Sequence, residues 1–333
     1  MRNILQNYIL ILALIIITSG CATTINASRI VPAGSTEVTN YKTVAFLDFT
    51  GNKGIDASAR MESTIIKAEV NGKKQYSVVD RKNINKILQE QQFQMTVANP
   101  DTIVDFGQLV GAEAIWYGNA ESMYNVTRSY ETRSECVRYV DGKCSVYREY
   151  RVPCENRSIL VTITPKLSSV STGKVVYSKD FQEKSSSYYC TDSYYMGRTE
   201  ADLYNDALNR ILYKYRLDIA PYVETVKIEL MNKKDGTNKK SEELLKSGIE
   251  YAKVERMEKA CELWATGLKE TPASISLNYN MGVCSELSSN YEKALNYYLK
   301  AEDNALKPIK TISNAIERTK ENIENQKTLK RQM

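Results

Sequence analysis

Short apolar runs alternate with helical periods over the first two thirds of the chain, and helical period alone fills the last third. Thr43-Val44-Ala45-Phe46-Leu47-Asp48-Phe49 is an apolar run closed by a turn, as a buried strand requires. Apolar positions around Met61, Ile65, Ile66 and Ala68 predict a helix, and Tyr76-Ser77-Val78-Val79-Asp80 predicts a second strand. Asp80 is placed to cap a helix with Ile84, Ile87 and Leu88 on one face. Asp101 is placed to cap another, carrying Val104, Phe106, Leu109 and Val110 and ending at Gly111. Ala112–Gly118 reads as a third strand.

The order of these words resembles the curli secretion lipoproteins and the lipoprotein activators of penicillin-binding proteins. The words that carry the resemblance are Val44–Phe49, Val78-Val79-Asp80-Arg81-Lys82-Asn83-Ile84, Ile87-Leu88-Gln89-Glu90-Gln91, and Gly111-Ala112-Glu113-Ala114 leading to Tyr117-Gly118. A later strand, Leu160–Ile163, precedes Thr172-Gly173 and the strand Lys174–Ser178, and a helix at 199–215 closes the pattern. The resemblance spans about 40–220. It implies a mixed α/β (α+β) sheet flanked by helices, occupying 41–225, and a role in envelope assembly without catalysis.

Two inserts decide which branch of that family applies. In the pore-forming branch each subunit donates two hairpins to a shared barrel, whose strands need roughly 9–11 residues and an apolar lipid-facing side. Tyr124–Arg157 is long enough and turns at Asp141-Gly142. With Gly142 central in a three-residue bulged loop, even-numbered positions of both strands share a face. That face holds Cys136, Val140, Cys144, Val146, Tyr150, Val152 and Cys154, together with Arg138 and Arg148. Ser185–Gly197 is too short for a spanning hairpin. A disulfide-stapled surface hairpin is therefore expected, with a curli-type export channel as the alternative. Tyr139, Tyr147, Tyr150, Tyr188 and Tyr189 concentrate in these inserts as candidate partner contacts, or as cross-strand surface pairs.

Met231–Lys240 is polar and reads as a linker within 226–240. Beyond it Gly248, Ala260 and Trp264 recur thirty-four residues later as Gly282, Ala294 and Tyr298. These small and aromatic positions resemble those where paired helices pack in tetratricopeptide repeats. The resemblance implies an all-α repeat domain over 241–330, two repeats plus a last polar helix, of the kind that binds peptides or proteins.

The start of the chain changes the picture most. Arg2, an apolar run from Ile9 to Ile17 and Thr18-Ser19-Gly20 before Cys21 have the layout of a secretory signal over 1–20. The run is too short to span a bilayer, which takes about 20 residues. The site resembles a bacterial lipobox, with Thr18 where Leu is usual. That resemblance implies cleavage before Cys21, a diacylglyceryl group on its sulfur and, with Ala22 next, sorting to the outer membrane. The alternative is an ordinary signal with an incidental cysteine. Residues 21–40, small and polar, read as a flexible tether.

Six cysteines remain. Cys136, Cys144, Cys154 and Cys190 form one group, and Cys261 with Cys284 another. An exported chain favours disulfides, and the spacings are unlike zinc knuckles. Any two bridges within the first group join Cys190 to the hairpin; Cys261 and Cys284 are bridged or simply buried. The 333 residues contain no histidine, which removes Ser-His-Asp, Cys-His and histidine-metal chemistry. Gly51-Asn52-Lys53-Gly54 lacks the rest of a phosphate loop, and Asp48 reads as a turn cap more readily than as a catalytic acid. No cofactor, metal or catalytic set is expected. A net charge of +5, mixed along the chain, gives no nucleic-acid surface. The expected protein is lipid-anchored at the outer membrane and faces the periplasm. It would serve an export apparatus or a peptidoglycan synthase through protein contacts, as a monomer or a homo-oligomer.

Overall fold

The computed structural model describes residues 23–82, 84, 86 and 100–333, in two compact units. Cys21, the signal segment 1–20, Asn83 and Ile87–Gln91 lie outside the described residues.

The larger unit is a mixed sheet with helices on both faces. Strand β2 (Thr43–Phe46) is followed by a small antiparallel pair, β3 (Glu69–Val70) and β4 (Lys73–Lys74), and runs parallel to β5 (Ser77–Val78) and to the start of β6 (Ala114–Val140). β7 (Lys143–Ser169) is antiparallel to β6, with β8 (Val175–Ser178) and β9 (Phe181–Cys190) both on β7. The apolar run in β2 follows from this central position, because both its faces are covered. Val44 and Phe46 join one core with Trp116, Ile159, Val161 and Ile163. Helix α2 (Gly54–Ile66) adds Met61 and Ile65 to that side, and helix α4 (Glu200–Ile219) adds Leu208, Ile211 and Tyr215. Ala45 and Leu47 join the other core, with Ile84, Ile115 and two residues of helix α3 (Pro100–Val110), Ile103 and Phe106.

Local chemistry sets the element ends. Thr199 caps α4 in a capping box with Asp202. The Lys82 N–H donates to Asp80 Oδ1 at 2.8 Å. Gly111 ends α3 at φ +70°, and Asp101 falls within that helix's first turn rather than before it. Gly51-Asn52-Lys53-Gly54 is a βα turn: Gly51 has φ +90°, and a Cβ there would meet Ala120 O at 2.3 Å.

Two expectations are corrected in and around this unit. The described part of the 21–40 segment, residues 23–40, is not a free tether. Thr24–Val31 forms strand β1, which pairs with β10 (Tyr222–Glu229), and Thr36–Thr39 forms the one-turn helix α1. Its polar sequence hides a period of two that turns Ile25 and Ala27 inward. The hairpin loop has two residues rather than three. Asp141 (φ 49°) and Gly142 (φ 75°) both take left-handed conformations, as a type I′ turn demands, and Val140 pairs with Lys143. Apart from the bulge pair Arg138–Val146, even positions of β6 therefore face odd positions of β7, and the expected shared face does not run along the hairpin.

The second unit holds β1, most of β10 and the C-terminal helices. Helices α5 (Lys239–Lys253) and α6 (Met257–Glu270) pack through Gly248, where a Cβ would sit 2.1 Å from Trp264 Nε1. Helices α7 (Ile275–Leu287) and α8 (Tyr291–Asp303) repeat the contact, with Gly282 against Tyr298. Ala260, Trp264, Ala294 and Tyr298 are fully buried. Cys261 and Cys284 are bonded, joining α6 to α7. The last helix, α9 (Lys310–Gln332), buries Ile312, Ala315 and Ile316 against the same core. Its Arg318 makes a two-pronged bond to Glu286 at 2.7 and 2.9 Å. On α7, Asn280 holds both backbone groups of Met231, accepting from its N–H at 3.0 Å and donating to its carbonyl at 2.8 Å.

Candidate functional site

The sheet of the larger unit outgrows its cores. β9 accompanies β7 only as far as the pair Cys154–Cys190. From Tyr130–Pro153 to Val140–Lys143 the described residues supply no third strand, so β6 and β7 continue as a two-stranded arm roughly 35 Å long. A free hairpin is marginal in water. Two disulfides compensate: Cys154–Cys190 at the base and Cys136–Cys144 near the tip. Opposite Cys136 lies Tyr147, and a bulge through Val137 and Arg138 lets it reach Cys144 instead. The first part of the short second insert, Ser185–Cys190, is the end of strand β9 along the hairpin's base.

The register sorts the tyrosines onto two faces. One face carries Tyr130, Tyr147 and Tyr189, with Arg128, Arg151, Glu155 and Arg157. Arg151 lies 4.7 Å over the Tyr130 ring and Arg157 4.8 Å over the Tyr189 ring. Glu155 accepts from the Tyr189 hydroxyl at 2.9 Å and from Arg157 and Arg128. Those bonds, Tyr189's first, hold the Glu155 carboxyl below its usual range. The opposite face carries Tyr150 and Tyr188, with Glu131, Arg133, Glu135 and Arg148. There Tyr188 donates to Glu131 at 2.5 Å and Arg133 reaches Asp192 at 3.1 Å.

Neither face is an apolar band, since ionised residues recur on both up to the bulge. The five candidate tyrosines consequently do not form one patch. Tyr188 and Tyr189 are engaged at the base, on opposite faces. Tyr139, Tyr147 and Tyr150 are exposed along the arm, at 67%, 65% and 40%. Tyr147 stands opposite Cys136 and Tyr150 opposite Arg133, so neither is half of a tyrosine pair. The Arg128–Glu155–Arg157–Tyr189 network has little signature in the sequence. Its only trace there is charge at alternate positions, Glu155 and Arg157, facing another charge across the strand.

A cleft of about 590 Å³ opens beside β2, β6 and β7, lined by Asp48, Tyr117, Asn119, Thr164, Lys166 and Ser168. Asp48 is ion-paired with Arg81 rather than capping its own turn. Tyr117 and Ser168 share a hydroxyl–hydroxyl bond at 3.1 Å. Glu131, Cys154 and Cys190 come close enough together to suggest a metal site, but the two sulfurs are bonded to each other. Among the described residues no helix is long and apolar enough to cross a membrane.

No family model matches the chain, and no curated protein matches it significantly. Several solved structures resemble it loosely. The LpoB C-terminal domain from Salmonella enterica aligns over 46% of this chain and 84% of its own, with 12% identity and a TM-score of 0.25. Lipoprotein GNA1162 from Neisseria meningitidis aligns over 52% of this chain and 99% of its own, with 11% identity and a TM-score of 0.23. The hypothetical protein CT253 from Chlamydia trachomatis aligns over 54% of this chain and 97% of its own, with 11% identity and a TM-score of 0.27.

Proposed function

We propose that the chain is a non-enzymatic lipoprotein of the outer membrane, facing the periplasm, which organises an envelope assembly by binding other proteins. The observation that carries this reading is the arm. A disulfide-held ribbon with exposed Tyr139, Tyr147 and Tyr150 presents aromatic area at low entropic cost, outside the small buried cluster of Val152, Cys154 and Cys190 at its base. Along the arm no described strand covers the outer edge of β6, whose backbone groups a partner strand, or a second copy, can take up. The repeated Gly248–Trp264 and Gly282–Tyr298 contacts support a tetratricopeptide-like reading of the helical unit as a second contact module. The order of words over 40–220 supports the curli-secretion and penicillin-binding-protein-activator type of α/β domain. An export apparatus or a peptidoglycan synthase is the partner that this reading favours. Strand length alone favours a channel; ionised residues on both faces of the arm oppose it.

The test is affinity purification from membranes, comparing the native protein with a Tyr139→Ala, Tyr147→Ala, Tyr150→Ala variant. Loss of a co-eluting envelope protein supports the reading, and an unchanged eluate refutes the arm's role. Cys21→Ser should release the protein from the membrane fraction. Reproducible conductance from the native protein in planar bilayers would replace this reading by a channel.

A further inference from the structure

We infer that the helical unit lies directly against the bilayer that anchors it, touching phospholipid headgroups around Lys233. This rests on the reading of Cys21 as the acylated residue. The argument is one of chain length. Thr23 is already part of the fold, its carbonyl accepting from Leu230 N–H at 2.8 Å. From there β1 is held throughout. Ala27 is buried, Ile25 packs on the same core, and Arg29 bonds Glu224 at 2.7 Å and Asn322 at 2.8 Å. Thr23 meeting Leu230 and Arg29 meeting Glu224 make β1 and β10 antiparallel. One end of the ribbon therefore brings together the start of β1 and the exit of β10.

Only Ala22 separates Cys21 from Thr23, so the acylated residue stands within about 7 Å of that end. A flexible leash of nineteen residues would let the body drift tens of ångströms; two residues do not. The exit of β10 is equally fixed. Met231 is clamped by Asn280, and Asp235 accepts from Ser276 N–H at 2.9 Å. The exposed residues Asn232, Lys233 and Lys234 between these two points stay within about 14 Å of Leu230. Lys234 is paired with Glu242, whereas Lys233 has no carboxylate partner among the described residues. Glu229, exposed at the same end, offsets part of this charge. Chain length rather than attraction imposes the contact, and Lys233 meets anionic headgroups as a consequence.

The experiment places a fluorophore at Lys233→Cys in the acylated protein, the six other cysteines being bonded in pairs. The protein is reconstituted into phosphatidylethanolamine–phosphatidylglycerol vesicles that contain a headgroup-nitroxide lipid. Strong quenching is expected. A second protein carries twelve Gly/Ser residues between Ala22 and Thr23, whose span of about 20 Å should cut the quenching at least about twofold while leaving it vesicle-bound. Absent quenching in the first protein, or equal quenching in both, overturns the inference. Failure of the first protein to float with vesicles overturns the anchor itself, a result distinguishable from either.

Discussion

Cys154 and Cys190 stand directly opposite one another across β7 and β9, their Cα atoms 3.9 Å apart and their sulfurs bonded. They mark the last three-stranded position before the sheet thins to two strands. The bond spans thirty-six residues of chain against eight for Cys136–Cys144. By loop-closure entropy it should contribute roughly 3.8 kcal/mol, against roughly 2.5 kcal/mol at the tip. Replacing Cys154 and Cys190 by Ser should thus lower the urea midpoint more than replacing the tip pair. Equal losses, or free thiols in protein taken from the envelope, would contradict this ordering.

Gly248 and Gly282 occupy equivalent positions, and each is needed for space rather than for backbone conformation. An added Cβ would approach Trp264 Nε1 to 2.1 Å and Tyr298 Cε1 to 2.5 Å. Gly248→Ala and Gly282→Ala should each destabilise the helical unit by about 1–3 kcal/mol through overpacking. Chemical melts of the two variants, followed by tryptophan fluorescence and far-UV dichroism, check this. A stabilised Gly248→Ala would show that helix propensity outweighs the crowding.

Asn280 is fully buried, and its amide satisfies the N–H and the carbonyl of Met231 together. Asn280→Ala strands two backbone groups at once. A loss of about 1–3 kcal/mol is expected for each, with hydrogen exchange at Leu230 and Met231 accelerating before the rest of the unit. Protection there that remains native would show that water replaces the amide.

Asp206 accepts hydrogen bonds from Ser185 and Arg210, the first being the larger cause, and its carboxyl is held down to about 2 from an ordinary 3.8. A carboxyl depressed in the folded state stabilises the fold above its unfolded value, and that contribution is lost as pH falls through the folded one. Between about pH 4 and about pH 2 the native protein should lose stability on this account, and Asp206→Asn should flatten that part of the acid limb. Urea midpoints at half-unit steps decide it. An Asp206→Asn protein with the native acid slope would assign the limb to other groups.

How much was readable in advance depended on what holds each element. β2 was plain because both its faces are apolar. The helical repeat was plain because Gly248 and Trp264 recur as Gly282 and Tyr298 at fixed spacing. β1 is hidden in the sequence, because its inward residues, Ile25, a small Ala27 and an ion-paired Arg29, stand amid Thr, Asn and Ser, a composition that also suits a flexible chain. The hairpin showed its Asp141-Gly142 turn, yet two or three loop residues are equally compatible with that word. The choice moves one strand by one position and turns its side chains to the other face. Nothing in the local sequence distinguishes a Tyr188 bonded to Glu131 from an exposed Tyr147; that difference arises from which strand happens to lie alongside.

The arm also has a chemical condition for its existence. Among the described residues its two strands share no buried core beyond the small cluster of Val152, Cys154 and Cys190, so their order depends on sulfur–sulfur bonds that a reducing cytosol does not keep. On reduction Tyr130–Pro153 should lose its order and its aromatic side chains should scatter. After oxidation the same residues become a stiff finger. The stiffness of the arm is therefore tied to oxidising surroundings, and only there should its exposed tyrosines hold fixed positions.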